Sequence, residues 1–295
     1  MTYQLRRSDI NPQTLSFGLF RVYKKAVQQL SGSDQVRDKT VVPILGIQRS
    51  GTSMLYWVFE RDLNSKVYRE ASELSSLDTV GKIRLDPLPS VREKIERQRA
   101  PLIVLKPLVE SQRAHELLNG LPGVRVLWTY RHFQDVASSN IKAFGMENGV
   151  KDIRPFVEND PGNWRSQNSK DETRETIRSL FSEDMNPYDA AALFWWARCR
   201  LYFDLGLDSH PQVMLCRYED LVTDPSRTMR RVYAFLERPY PGDHIVRDVN
   251  PQSVGKGRAS RLSPDIEHLC NNLLARLDEA NDLSVRAKSA ALSTL

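Results

Sequence analysis

Short runs rich in Val, Ile and Leu alternate along this chain with longer segments of mixed polarity, the pattern of a mostly parallel sheet covered by helices on both faces. Five runs predict strands: residues 41–47 (VVPILGI), 66–69, 101–107, 124–131 and 212–218, most of them entered through Pro, Gly or a charged turn. Helices are predicted over 13–30, 51–63, 111–119, 133–145, 187–206 and 226–237, with a last one opening at Ser263-Pro264-Asp265. Asp224-Pro225 starts the helix at 226 by the same device, a cap followed by proline. Within 187–206, Ala190, Leu193, Phe194, Ala197 and Leu201 fall at spacings of three and four, so one stripe should face the core. Trp195 and Trp196 sit in that helix and read as core rather than as a stacking platform. Two stretches, 146–186 and 239–264, are too polar for this packing and are expected to be solvated loops or a pair of flaps over a ligand.

Composition narrows the class. The 295 residues are 40% apolar and 27% charged, which suits a soluble globular protein and neither a disordered nor a membrane-embedded one. We expect a single α/β domain over 41–281, with an N-terminal helical segment, 1–40, packed on it and a C-terminal tail, 282–295. Cys199, Cys216 and Cys270 are far apart and odd in number, so neither a disulfide framework nor a zinc site is indicated. The five histidines show no metal-binding spacing, and no metal is expected. No apolar run follows the basic N-terminus or reaches membrane-spanning length, so a cytoplasmic protein is expected, with a homodimer kept in view as its assembly. The formal charge is +5, but basic residues are scattered among acids, so nucleic-acid binding stays a minor alternative.

The strand VVPILGI runs into Gln48-Arg49-Ser50-Gly51-Thr52-Ser53 and then a helical segment. Such a small-residue turn aims several backbone N–H groups, and the positive end of a helix dipole, at one spot. That spot suits an anion, although a plain strand-to-helix connection is the other reading. Counted from Gly46 the spacing is that of a nucleotide-phosphate loop, with Thr52 where the lysine would stand and the cation moved to Arg49. The strand 124–131 ends in Tyr130-Arg131 rather than a magnesium-holding carboxylate. A phosphate-like group bound by cations and amides alone fits both facts, and a nucleotide or sugar kinase is the alternative. Arg131 and Ser139, two helical turns apart, could meet a second phosphate, or Arg131 could pair with Asp135.

Together, Gln48 to Ser53, Arg131 to Ser139 with Asp135 between, and Arg217-Tyr218-Glu219-Asp220-Leu221 followed by Asp224-Pro225 resemble the sulfotransferases that use 3′-phosphoadenosine 5′-phosphosulfate (PAPS). The resemblance runs from about 41 to 281 and ends with Gly255-Lys256-Gly257-Arg258. It implies a phosphate-loop-like sulfotransferase fold. It further implies that Arg49, Ser50, Gly51, Thr52 and Ser53 hold the 5′-phosphosulfate and that Arg131 and Ser139 hold the 3′-phosphate. Tyr218 would lie near the adenine, Lys256, Gly257 and Arg258 would close over the 3′-phosphate, and adenosine 3′,5′-bisphosphate (PAP) would be the product, with no metal required. Arg49 stands where many cytosolic members have Lys.

The same resemblance bears on the base. Relatives acting on phenols and steroids place a histidine two residues after the lysine that ends the third strand, whereas here Lys106 is followed by Pro107 and Leu108. Glycan and tyrosine sulfotransferases use a Glu near the end of the second strand, which makes Glu70 the expected base and Glu73 the reserve. Glu70 could instead be a surface acid on a helix starting near Ala71. Residues 71–99 and 146–186 should shape the acceptor pocket. The acceptor implied is a hydroxyl-bearing small molecule or carbohydrate, less readily an amine.

Overall fold

The computed structural model describes residues 12–30, 38–78, 81–107, 109–258 and 261–292. Leu108, the first eleven residues of the N-terminal segment and the last three of the C-terminal tail lie outside the described residues. Helix α1 (Pro12–Leu30) leads to β1 (Thr40–Gly46), α2 (Thr52–Glu60) and β2 (Ser65–Tyr68). A two-stranded antiparallel hairpin, β3 (Ser75–Leu77) and β4 (Ile83–Leu85), comes next. Then follow α3 (Leu88–Glu96), β5 (Leu102–Leu105), α4 (Ala114–Gly120), β6 (Val126–Tyr130) and α5 (Phe133–Phe144). The remainder is α6 (Asn148–Val157), α7 (Asp171–Leu180), α8 (Pro187–Asp204), β7 (Val213–Arg217), α9 (Tyr218–Thr223), α10 (Pro225–Phe235) and α11 (Pro264–Leu292).

Five strands form one parallel sheet in the order β2-β5-β1-β6-β7. Strand β1 is central: Thr40 to Pro43 pair with Leu102 to Leu105, and Ile44 to Gly46 pair with Leu127 to Thr129. Alternate residues of these buried strands divide between two cores, as the period of two requires. Val41, Leu45, Ile103, Leu105, Val126, Trp128 and Tyr130 face one side with α3 to α8 and α11. Val42, Ile44, Leu102, Val104, Leu127 and Met214 face the other with α2 and α10. All five sequence-read strands are present in the order read, and the α/β architecture is that of the expectation.

The polar stretch 146–186 differs from the expected loop or flap, because it folds into α6 and α7 on the core. Ile153, Phe156 and Ile177 are fully buried there, and one apolar side per turn against α8 is enough to fix a helix whose other faces are solvated. Helix α8 is likewise buried on more than the predicted stripe: every residue from Asp189 to Cys199 is enclosed, Trp195 and Trp196 included, since α5, α6, α7 and α11 all pack around it. No helix starts at Ala71; the chain turns there into the β3–β4 hairpin. The three cysteines are buried and free, and among the described residues no helix is long and apolar enough to cross a membrane.

Candidate functional site

The parallel strands end on one edge of the sheet, and the loop after β1 is shaped there by backbone demands. Gly46 has φ +122°, and a Cβ on it would lie 2.2 Å from the Thr129 carbonyl oxygen of β6. Ser111 Oγ fixes this point by accepting from Gly46 N–H at 3.0 Å and donating to Gly46 O at 2.9 Å. Arg49 stands at φ +68°, a left-handed conformation that costs a non-glycine residue about 1 kcal/mol or more. Gly51, the N-cap of α2, has φ +96°, and a Cβ on it would meet the Tyr218 ring at 2.4 Å. The loop is therefore held in one shape from both sides. The Ser50 hydroxyl takes part in that hold: it is turned inward, 2.5 Å from Ile47 O and 2.7 Å from Thr129 Oγ1. What the loop turns outward is the exposed Arg49 side chain and the first-turn amides of Thr52 and Ser53, which no helical carbonyl can satisfy.

Helix α5 brings the second anion candidate to the same place. Arg49 Nε donates to Ser139 Oγ at 2.9 Å, joining two segments ninety residues apart in the chain. Arg131, at the end of β6, is buried, and Trp195 Nε1 donates to its carbonyl at 2.9 Å. Its guanidinium lies 4.4 Å from the Tyr218 ring centre, 3.3 Å from Asp135 Oδ2, and donates to Ser253 O. Arg131 thus makes the Asp135 pair of the second sequence reading while its guanidinium also faces Tyr218. Its Nε is buried without a hydrogen-bond partner among the described residues, an unspent donor at the edge of the loop.

Asp135 does a further job. Its two oxygens accept from Gly255 N–H at 2.8 Å and Gly257 N–H at 2.7 Å, clamping the Gly-Lys-Gly-Arg turn on the start of α5. Only glycine fits at 257, because a Cβ would lie 2.1 Å from Gln134 O. The same turn leaves Lys256 and Arg258 exposed at the rim, and Tyr218 Oη is hydrogen-bonded to Ser253 Oγ at 2.5 Å. His132, the N-cap of α5, accepts from Gln134 N–H through Nδ1 at 3.3 Å. Burial pulls its pKa below 6.5, and the Arg258 charge adds to that shift. Burial pushes Glu219 the other way, against the hydrogen bond that its Oε1 accepts from His132 N–H at 3.0 Å.

Glu70 and Glu73 follow β2, two strands from β1, which at about 4.8 Å per strand puts them roughly 10 Å away across the sheet edge. Glu70 Oε1 pairs with Lys106 Nζ at the end of β5. Glu73 sits beside Tyr68, whose hydroxyl is pushed up first by burial and then by the Glu73 charge. A cavity of about 10 Å³, room for one water, lies around Glu70.

Several shaping residues carry no local signature in the sequence: Ser111 and Thr129 under the loop, Ser253 against Tyr218, and the fully enclosed Arg198. Arg198 donates to the carbonyls of Trp164 and Arg165, each at 3.0 Å, and to Gln112 Oε1 at 3.1 Å. Asp152 is buried nearby, ties Arg165 at 2.6 Å and accepts from Gln48 of the loop at 3.4 Å. The one local signal was Arg198 inside the mostly apolar helix α8; Asp152 lies among the polar residues of α6 and carried none. Among the described residues no group of three or more His, Cys, Asp or Glu comes together as a metal site.

Comparison with known proteins bears on the family and the fold. The model of the sulfotransferase domain matches residues 39–262. No curated protein matches the chain. Among solved structures, a sulfotransferase domain from the curacin biosynthetic pathway is 15% identical, covers 81% of this chain and 98% of its own, and has a TM-score of 0.53. A sulfotransferase from Alicyclobacillus acidocaldarius is 18% identical, covers 83% of this chain and 95% of its own, with a TM-score of 0.45. Because the domain model spans well over half of the sequence, this chain belongs to the sulfotransferase family and is an enzyme of sulfuryl transfer.

Proposed function

We propose that this enzyme takes its sulfuryl group from PAPS and delivers it to a hydroxyl of a small-molecule or carbohydrate acceptor. The observation that carries this reading is the meeting of Arg49 with Ser139 at 2.9 Å, with the buried guanidinium of Arg131 on the Tyr218 ring that packs against Gly51 of the same loop. One anion held at the loop and another at α5 would lie within one molecule's reach. PAPS has that form, with a 5′-phosphosulfate and a 3′-phosphate, and when bound it supplies the sulfuryl group and leaves as PAP. The unpartnered Arg131 Nε supports the assignment, since a phosphate oxygen would satisfy it.

In this scheme each residue has a distinct task. The amides of Gly51, Thr52 and Ser53 and the α2 dipole hold the 5′-phosphosulfate, while Ser50 keeps the loop in shape through Ile47 and Thr129. Arg49 releases Ser139 and turns to the oxygen shared by phosphate and sulfate, where negative charge grows as the bond to sulfur breaks. Arg131, Ser139, Lys256 and Arg258 surround the 3′-phosphate, the Gly257 amide being taken by Asp135 so that it docks the turn there, and Tyr218 lies beside the adenine. Glu70 takes the acceptor proton during in-line attack, with Lys106 holding one of its oxygens in place, and Glu73 is the reserve. The test is incubation with sulfur-labelled PAPS and fractionated hydroxyl-bearing metabolites and oligosaccharides. Transfer of label to one fraction is expected, and none from any fraction by an enzyme that binds PAP would overturn the acceptor assignment.

A further inference from the structure

Strand β2 is an outer strand of the sheet, and α1 runs along its free edge. Between them lies an open groove of about 1030 Å³, bounded also by the end of α2 and by the turn between α3 and β5. Its charge is one-sided. Helix α1 contributes Arg21, Lys24 and Lys25, and β2 with its following residue contributes Lys66 and Arg69. Arg97 and Arg99 close the far wall, and among the described residues the only carboxylates in the lining are Glu60 and Glu73.

Seven cations against two acids leave a surplus of five, which equals the formal charge of the entire chain. Outside the groove the cations and acids of the sequence are therefore equal in number. Internal contacts offset only part of this surplus: Arg97 pairs with Glu93, which lies just outside the lining. Arg21 pairs with Glu60, but Lys24 Nζ donates to a neutral carbonyl of Glu60 at 2.8 Å and to Ser65 Oγ at 3.0 Å. Arg99 likewise donates to the Gln29 carbonyl at 2.8 Å, and Arg69 to Tyr56 Oη at 2.6 Å. Concentrating like charges along one concave surface is unfavourable unless something anionic offsets it.

The groove also has a defined relation to the reaction centre. It reaches Arg69, Ala71 and Glu73 on either side of Glu70, and it shares Tyr68, Arg69 and Ser72 with the small cavity around Glu70. Apart from two tyrosines, the apolar lining among the described residues is Val67 and Ala71, which offers little to a peptide side chain or a lipid. Helix α1 precedes the matched residues 39–262, so three of the seven cations lie outside the span matched by the domain.

We propose that this groove is an anion-binding exosite, and that the acceptor is an acidic carbohydrate chain lying along β2 while one of its hydroxyls reaches the site at the strand ends. The proposal rests on the acceptor reading above and adds to it a location and a charge. A carbohydrate chain carries hydroxyls on every unit, so one sugar can meet the base while its acidic neighbours occupy the groove.

The test uses the full chain and a fluorescent low-mass dextran sulfate, with neutral dextran and poly-glutamate as comparisons. Dextran sulfate should bind more tightly than either, and its affinity should fall as salt is raised. The triple variant Lys25→Gln, Lys66→Gln, Arg97→Gln should lose about tenfold or more in dextran sulfate affinity, while Lys25→Arg, Lys66→Arg, Arg97→Lys keeps it. PAP affinity, read by calorimetry on the same samples, should stay unchanged in both. Equal binding of neutral dextran, tighter binding of poly-glutamate, or an unaffected triple Gln variant would each overturn the exosite. Loss of PAP binding by the wild type would instead overturn the donor reading and leave the dextran sulfate result standing.

Discussion

Arg49 Nε donates to Ser139 Oγ at 2.9 Å, so the cation of the loop after β1 rests on the side chain of α5 that is assigned to the opposite end of the donor. The two halves of the site are thus joined directly by a side-chain hydrogen bond. Arg49→Ala should weaken PAP binding and cut turnover by about 100-fold or more, because charge on the bridging oxygen would be left unmatched. Ser139→Ala should weaken PAP binding by about tenfold with a smaller effect on turnover, since it removes one hydrogen bond to a charged group. Calorimetry with PAP and single-turnover rates separate the two.

Asp135 holds Gly255 and Gly257 by their N–H groups while touching Arg131. Asp135→Asn presents an N–H where an acceptor is needed, so one of the two amides loses its partner. The expected cost is about 1–3 kcal/mol in stability, together with weaker PAP binding. Thermal melts with and without PAP measure both, and a variant as stable and as tightly binding as the wild type would show that the turn docks without this clamp.

Glu70→Gln should lower turnover by about 100-fold or more and leave PAP affinity intact, as expected of a group that acts on the acceptor proton alone. Glu73→Gln should leave turnover near that of the wild type. Steady-state rates at saturating PAP distinguish the assignments, and the reverse pattern would transfer the role to Glu73.

His132 links the same region to pH. Its folded pKa lies below 6.5, chiefly through burial, so the native state holds fewer protons than the unfolded chain just below that value. The stability associated with the neutral ring is whole above 6.5 and is lost as pH falls through 6.5 toward the folded pKa. His132→Asn keeps an acceptor for the Gln134 N–H and cannot titrate. Its melting temperature should fall less than that of the wild type over this window, and parallel curves would contradict the assignment.

The elements that sequence pattern made legible were those whose signal is local. Four buried Val/Ile/Leu-rich runs and the half-buried segment 66–69 became the five parallel strands, and Gly46 and Gly51 marked a loop whose backbone tolerates no side chain. Where the deciding partner lies far along the chain, the sequence was silent. Ser111 reaches Gly46 from sixty-five residues away, Asp135 meets glycines more than a hundred residues later, and Arg198 finds its acceptors on a stretch that reads as polar loop. Ile153 and Phe156 anchor α6 although their surroundings are polar, because only the α8 surface makes that face apolar. The charge of +5 likewise looked scattered along the chain and is gathered by the fold into the groove beside β2.

The central claim is that the loop after β1 and the start of α5 together bind a nucleotide with phosphates at both ends of its ribose, by cations and amides. Isothermal titration of the purified chain with PAP in the presence of EDTA tests it most directly. We predict one-to-one binding in the micromolar range, loss of most of that affinity in Arg131→Ala, and much weaker binding of AMP, which lacks the 3′-phosphate. Absence of PAP binding, or equal affinity for AMP and PAP, would contradict it.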